Sequence, residues 1–242
     1  MSRLLNALPL TLALAALTFF TTSCGSSSSQ LRVVDAIPDA PVGLDVDVNG
    51  KNAFTTPFTF GSTEPSSGYQ KVSAGSDSIE VFQTGTTTSV IPSTSFSMGG
   101  SSQNTVVLTG YYTAGAGSPN IPTAVQFTDN NAAPTSGDVE FRIIHASPST
   151  ATVDVYIVPP GTDITQVNPA TISGLAYQAA SSPYTSLAAA TYSVIVTASG
   201  SKNEIIAPQD YALTAGQIRT LVLVDNVNGG QPPQWLLLSD LN

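Results

Sequence analysis

The chain has 242 residues, with 7 Lys and Arg against 16 Asp and Glu, a formal charge of −9, and only 10% charged side chains beside 41% hydrophobic ones. A body this acidic offers no basic surface to neutralise phosphates, which excludes a nucleic-acid partner. Anionic lipid repels it as well, so contact with a membrane requires a covalent or hydrophobic anchor.

The N-terminus supplies such an anchor. Met1–Ser23 opens with Arg3 and continues into the apolar run Leu8–Phe20, broken by Pro9 and threonines, in the order of a secretory signal. The single cysteine follows at once, in Thr21-Thr22-Ser23-Cys24-Gly25. This stretch resembles a bacterial lipobox: Ser23 and Gly25 are small, and Thr21 stands where that pattern usually carries Leu. The resemblance implies cleavage between Ser23 and Cys24, lipid attachment at Cys24 and a place in the cell envelope. In a Gram-negative source that place is the outer membrane, facing periplasm or surface. Acylation of the sole cysteine leaves no disulfide. Residues 24–30, mostly serine, read as a flexible tether with a reach of ~14 Å, which holds the first domain close to the bilayer and lets the second project beyond it.

Leu31–Asp35 is a β-rich run ended by Pro38 and Pro41. Leu44-Asp45-Val46-Asp47-Val48 alternates strictly, with the apolar residues on a core face and both aspartates outward. Asn49-Gly50 predicts a two-residue hairpin. Phe58 and Phe60 read as a second inward pair, and Ser62–Gly68 as loop. Lys71–Val72, Ser78–Phe82, Thr87–Ile91, Thr105–Tyr111 and Ala124–Thr128 complete a set of short strands spaced as in a sandwich or barrel.

The opening run then returns. Phe141-Arg142-Ile143-Ile144-His145 and Val153-Asp154-Val155 repeat Leu31–Asp35 and Leu44–Val48, and from Tyr69 against Tyr184 to Gly110 against Asp225 the offset stays at 115 residues. Two whole domains of one kind are expected, 31–130 and 138–242, joined by a polar linker at 131–137. Thr220–Val224 is apolar on both faces and central, and Trp235–Leu238 closes the second unit as Ala124–Thr128 closes the first. The extra residues of the second unit fall in Pro159–Ser173, a loop-rich insertion.

The pattern Arg142-Ile143-Ile144-His145-Ala146-Ser147-Pro148, then Val153–Ile157, then Ala189-Ala190-Thr191-Tyr192, resembles the DUF4397 domain of bacterial envelope proteins. The first unit follows it with Asp35 in place of the His and Ile37 in place of the Ser. The resemblance implies an all-β fold of two tandem immunoglobulin-like β-sandwich domains. It implies no activity.

Few residues carry chemistry. His145 is the only histidine; a catalytic base would need Ser147 and Asp154 beside it, whereas a local role pins the Pro148 turn. Asp39, Asp45 and Asp47 hold carboxylates of the kind calcium prefers, without a calcium-loop spacing. Arg32 and Arg142, at equivalent places, read as structural partners of Asp45 and Asp154. Tyr111, Tyr112, Tyr184 and Trp235 could form an aromatic platform or pack the core. No nucleophile elbow, phosphate loop or zinc motif is present, so no catalytic residue, metal or cofactor is expected. The sequence points to a non-catalytic, lipid-anchored structural or binding module with an envelope-protein or glycan ligand. A surface adhesin or carbohydrate-binding protein is the alternative, and a hydrolase the third reading.

Overall fold

The computed structural model describes residues 27–41 and 43–241; the signal segment and Cys24 lie outside them. The described chain is all-β, with seventeen strands and one 3-10 turn at Ile164–Gln166. The first nine are β1 (Ser28–Asp35), β2 (Leu44–Val48), β3 (Lys51–Asn52), β4 (Thr63–Glu64), β5 (Gln70–Ser73), β6 (Gly75–Gln83), β7 (Ser89–Met98), β8 (Gln103–Thr109) and β9 (Thr123–Asp129). The remaining eight are β10 (Asp138–His145), β11 (Val153–Val158), β12 (Ile172–Leu175), β13 (Thr185–Ala188), β14 (Thr191–Ala198), β15 (Glu204–Ala212), β16 (Ile218–Val224) and β17 (Gln234–Leu241).

These strands form four sheets. One runs β4-β1-β8-β9, with β5 sharing the β4 side of β1, and a second runs β3-β2-β6-β7. The other two, β13-β10-β16-β17 and β12-β11-β14-β15, repeat that order in the second half of the chain. In both halves the opening strand pairs in parallel with a distant one, β1 with β8 and β10 with β16, while every other pairing is antiparallel. Within a half, the two sheets close over one apolar cluster. Leu31, Val33, Val46, Ile79, Val81, Val106 and Leu108 meet in the first, and Phe141, Ile143, Val155, Val194, Val196, Leu221 and Leu223 in the second.

The four central strands are buried on both faces. Side chains alternate along a strand, so Leu31 and Val33 enter the first core while Arg32 and Val34 point away from it. A third cluster lies on that outer face: Val34, Ala36 and Val107 of the first half pack against Ile144, Ala146, Val222, Val224 and Leu238 of the second. The molecule is therefore a stack of four sheets, with the β1 and β10 sheets innermost. The near-continuous apolar runs of β8 and β16 are what burial on two faces requires.

Four local expectations change. The tether ends earlier, because Ser28–Gln30 already belong to β1 and pair with β5 and β8; Ser29 is fully buried, its hydroxyl donating to the Ser102 carbonyl. Thr63–Glu64 is strand, pairing with Val33–Val34. Phe58 enters the first core, but Phe60 faces the cluster between the halves. Finally, the halves, expected as separate units joined by the linker at 131–137, lie face to face over a shared apolar cluster. Asn49 and Gly50 do form the expected turn, both with positive φ (53° and 70°), between Val48 and Lys51.

The insertion folds back on its own half. Ile164 packs with Tyr156, Val158 and Ile195 on the outer face of the β11 sheet. Lys202 covers that patch, donating to the Tyr156 hydroxyl at 2.7 Å with its ammonium over the ring.

Candidate functional site

Arg32 and Arg142, each 2% exposed, stand at equivalent positions on β1 and β10 and turn into the contact between the halves. Sequence reasoning paired them with Asp45 and Asp154, and the structure corrects this. Arg32 meets Asp240, at the end of β17, and lies 3.5 Å from Asp129, at the end of β9. Arg142 meets Asp129 at 2.7 Å. Each arginine thus reaches an aspartate of the opposite half, in the reciprocal manner of an isologous interface. Each Nε donates to the threonine of the strand parallel to its own, Arg32 to Thr105 and Arg142 to Thr220, at 3.1 and 3.0 Å. Those threonines donate to Asp129 and Asp240 at 2.6 and 2.5 Å.

Two tyrosines complete the set. The Arg32 guanidinium lies 5.0 Å from the centre of the Tyr69 ring and that of Arg142 4.8 Å from Tyr184. Tyr69 also donates to Asp129 at 2.8 Å. Burial by itself would lower the Arg32 pKa; Asp240, Tyr69 and Asp129 outweigh it, and the group ends above its ordinary value. Burial raises Tyr69, with Asp129 adding to the effect, and takes Tyr184 to about 12. The quartet is two arginines against two aspartates, formally neutral and closely bonded. It gives a free anion little to bind and holds the halves together.

Asp45 and Asp154 are turn caps. Asp45 accepts from the Thr84 hydroxyl at 2.9 Å and the Gly85 amide at 3.3 Å. Asp154 accepts from the Gly174 and Gly200 amides at 2.7 and 2.8 Å and from Ser199 at 3.1 Å. Burial would raise the Asp154 pKa, but the Gly200 and Gly174 amides, Ser199 and the Lys202 charge together leave it below its ordinary value. Both aspartates belong to the outer sheets, a full layer from the arginines.

His145 is fully buried, and both ring nitrogens are taken by backbone. Nδ1 accepts from the Ser147 amide at 3.3 Å and Nε2 donates to the Ala151 carbonyl at 3.1 Å, which defines the neutral Nε2–H tautomer. Burial lowers its pKa against the pull of the Ala151 and Thr150 carbonyls and of Asp225. The Ser147 hydroxyl donates to Asp225 and shares a 2.6 Å contact with Thr150, and no hydrogen bond joins it to the ring. Ser147, His145 and Asp154 are therefore no relay. Asp35 repeats the turn, accepting the Ile37 amide at 2.9 Å, while its other oxygen is buried without a partner.

Sequence reasoning missed Asp129, Asp240 and Asp225. Asp225 is fully buried and accepts from Ser147, Ser149, the Gly230 amide and Tyr111 of the first half. The signal for the first two was present: Thr128-Asp129 and Ser239-Asp240 stand at matching places near the ends of the closing strands. The remaining candidates separate. Asp39 accepts from the Tyr112 and Thr113 amides, and among the described residues no three His, Cys, Asp or Glu side chains gather as a metal site. Tyr111 is bonded to Asp225, Tyr184 stacks on Arg142 and Trp235 packs on the second core, so these aromatics form no shared platform.

A cleft opens beside each arginine. One of about 470 Å³ lies between Arg32, the Pro65–Gly68 loop and Leu237–Asp240. Its counterpart, about 290 Å³, lies between Arg142, Gln126–Thr128 and Ser181–Tyr184. The model of a family described as a domain of unknown function, DUF4397, matches residues 29–156, from β1 through the first four residues of β11. The chain belongs to the DUF4397 family. No curated protein matches it. The DUF4397 match includes both arginines, Asp129 and both turn residues Asp35 and His145, whereas Asp240, Thr220 and Tyr184 lie beyond it.

Proposed function

We propose that this DUF4397 protein is a non-catalytic, lipid-anchored protein of the cell envelope, a structural or binding module built from two tandem immunoglobulin-like sandwiches and fixed to the membrane through Cys24. The reciprocal Arg–Asp quartet carries this reading. The buried groups best suited to chemistry are spent on holding two modules as one body, and the sole histidine on a turn. A rigid body on a short serine tether suits presentation of a surface to envelope partners.

Metabolic labelling with a palmitate analogue and protease shaving of intact cells test the proposal, with Cys24→Ser as control. Label on the wild type, absent from Cys24→Ser, supports the anchor, and cleavage from whole cells places the body outside. A Cys24→Ser protein that stays labelled and membrane-bound refutes it.

A further inference from the structure

Each sandwich opens along one side, where an edge strand of its outer sheet faces an edge strand of its inner one. In the second half that opening lies between β12 and β13 and holds a cavity of about 590 Å³, lined by residues 171–176 and 179–185, none of them charged. In the first half it lies between β3 and β5 and holds a cleft of about 510 Å³. Two lysines line this one, Lys51 of β3 and Lys71 of β5, beside Asn49, Asn52 and Gln70 and with no acidic residue.

Among the described residues these two lysines are the cations left unpaired. Arg32 and Arg142 belong to the quartet, Lys202 lies over Tyr156, and Arg219 donates to the Ile218 carbonyl. Lys51 and Lys71 have no hydrogen-bond or ion-pair partner there. Asp47 and Glu80 stand opposite each other on the outer face of the β2 sheet, since Val46, Val48, Ile79 and Val81 take the inner one. Lys51 lies opposite Val48 and shares its face, and the buried Asp77 accepts from the Asn49 amide at 2.5 Å.

The cleft also opens at the root of the tether. Ser27 and Ser28 line it, and at most ~11 Å of extended chain separates Ser27 from Cys24. The loops that follow β1, β8, β10 and β16 at their far ends, residues 36–43, 110–122, 146–152 and 225–233, carry no Lys or Arg. The unpaired positive charge of an acidic chain is thus gathered at the end that leads into the tether.

We infer that the cleft between β3 and β5 receives the phosphate headgroup of an anionic phospholipid from the membrane that carries Cys24, with Lys51 and Lys71 as its cationic walls and Asn52 and Gln70 as uncharged donors. The inference rests on the lipid anchor proposed above. A lysine ammonium binds phosphate as a point charge, and each one close to an anionic leaflet adds to the attraction. Repulsion from the acidic body is screened beyond a Debye length of ~8 Å at physiological ionic strength, so the charges lining the cleft outweigh distant carboxylates. The anchor brings headgroups to the cleft, and the cleft fixes which end of the body rests on the bilayer.

The test reconstitutes the protein purified from membranes into vesicles of phosphatidylcholine, and of phosphatidylcholine mixed equally with phosphatidylglycerol. Brief exposure to an amine-reactive reagent, followed by mass spectrometry, reads Lys51 and Lys71 separately, with Lys202 as the internal reference. In the anionic vesicles Lys51 and Lys71 should label about fivefold more slowly than in the neutral ones, with Lys202 unchanged. In Lys51→Gln the protection of Lys71 should be largely lost, because one headgroup engages both side chains. Equal labelling in the two kinds of vesicle, equal protection of Lys202, or undiminished protection of Lys71 in Lys51→Gln overturns the inference. Protection by inorganic phosphate alone in detergent also overturns it, by assigning the cleft to a free anion. The mass of the purified chain reports on Cys24 independently. A chain without an acyl group refutes the anchor and the inference with it, whereas an acylated chain without selective protection refutes the inference alone.

Discussion

Asp35 and His145 hold one position in the two halves and solve one problem, accepting the amide two residues on to start a tight turn. The histidine uses its second nitrogen as well, whereas the second oxygen of Asp35 has no partner. Burial pushes the Asp35 pKa up from 3.8 to about 7, against the lowering effect of the Ile37 amide. Between those two values the folded chain binds a proton that the unfolded chain has released, so stability falls as pH rises from about 4 to 7. The gap corresponds to roughly 4 kcal/mol at most. Asp35→Asn keeps the acceptor and removes the charge. Its melting temperature should match the wild type near pH 4, exceed it increasingly up to about pH 7 and keep a level margin above that, in scans across that range. His145 works in the opposite sense. Its pKa is lowered by burial, so its contribution grows with pH up to the unfolded value and persists in the Asn variant. A wild type that gains on Asp35→Asn as pH rises would refute the assignment.

At the scale of the strand, the Val-Asp-Val element is a core face with a carboxylate that ties down neighbouring turns. Asp154 gathers two amides and a hydroxyl, against one of each for Asp45. Asp154→Ala should cost about 1–3 kcal/mol in urea unfolding at neutral pH, more than Asp45→Ala. Because the folded pKa of Asp154 is depressed, its contribution is present above the unfolded value and should fade as pH falls through the folded one. This element was fully legible, since strict alternation and the Asn49-Gly50 turn are local signals. The partner of Arg32 was not. Adjacency in sequence suggested β2, but β1 lies between β4 or β5 and β8 in one sheet while β2 belongs to another. A parallel pairing across more than 70 residues leaves no periodicity to read. The double-sided burial of Thr220–Val224 was visible as an apolar run. What covered its second face was not, because the covering sheet comes from the other repeat.

For the whole molecule, the quartet decides whether two modules behave as two bodies or one. Asp129 stands at its centre, meeting both arginines, Thr105 and Tyr69, whereas Asp240 meets Arg32 and Thr220. A buried pair broken on one side leaves an uncompensated charge and typically costs about 3–5 kcal/mol. Around the quartet the contact is apolar, with Val34 and Val107 against Ile144 and Val222. Neither inner sheet could expose that face to water without a large hydrophobic penalty. The intact chain should therefore unfold in one calorimetric transition, with van't Hoff and calorimetric enthalpies equal. Asp129→Ala strands Arg142 without its carboxylate and leaves Arg32 only Asp240. It should lower stability by about 3–5 kcal/mol, more than Asp240→Ala does, and split the transition so that the van't Hoff enthalpy falls below the calorimetric one. A single transition of undiminished cooperativity in Asp129→Ala would mean that the apolar contact alone couples the halves. Two transitions already in the wild type would mean that the halves are independent.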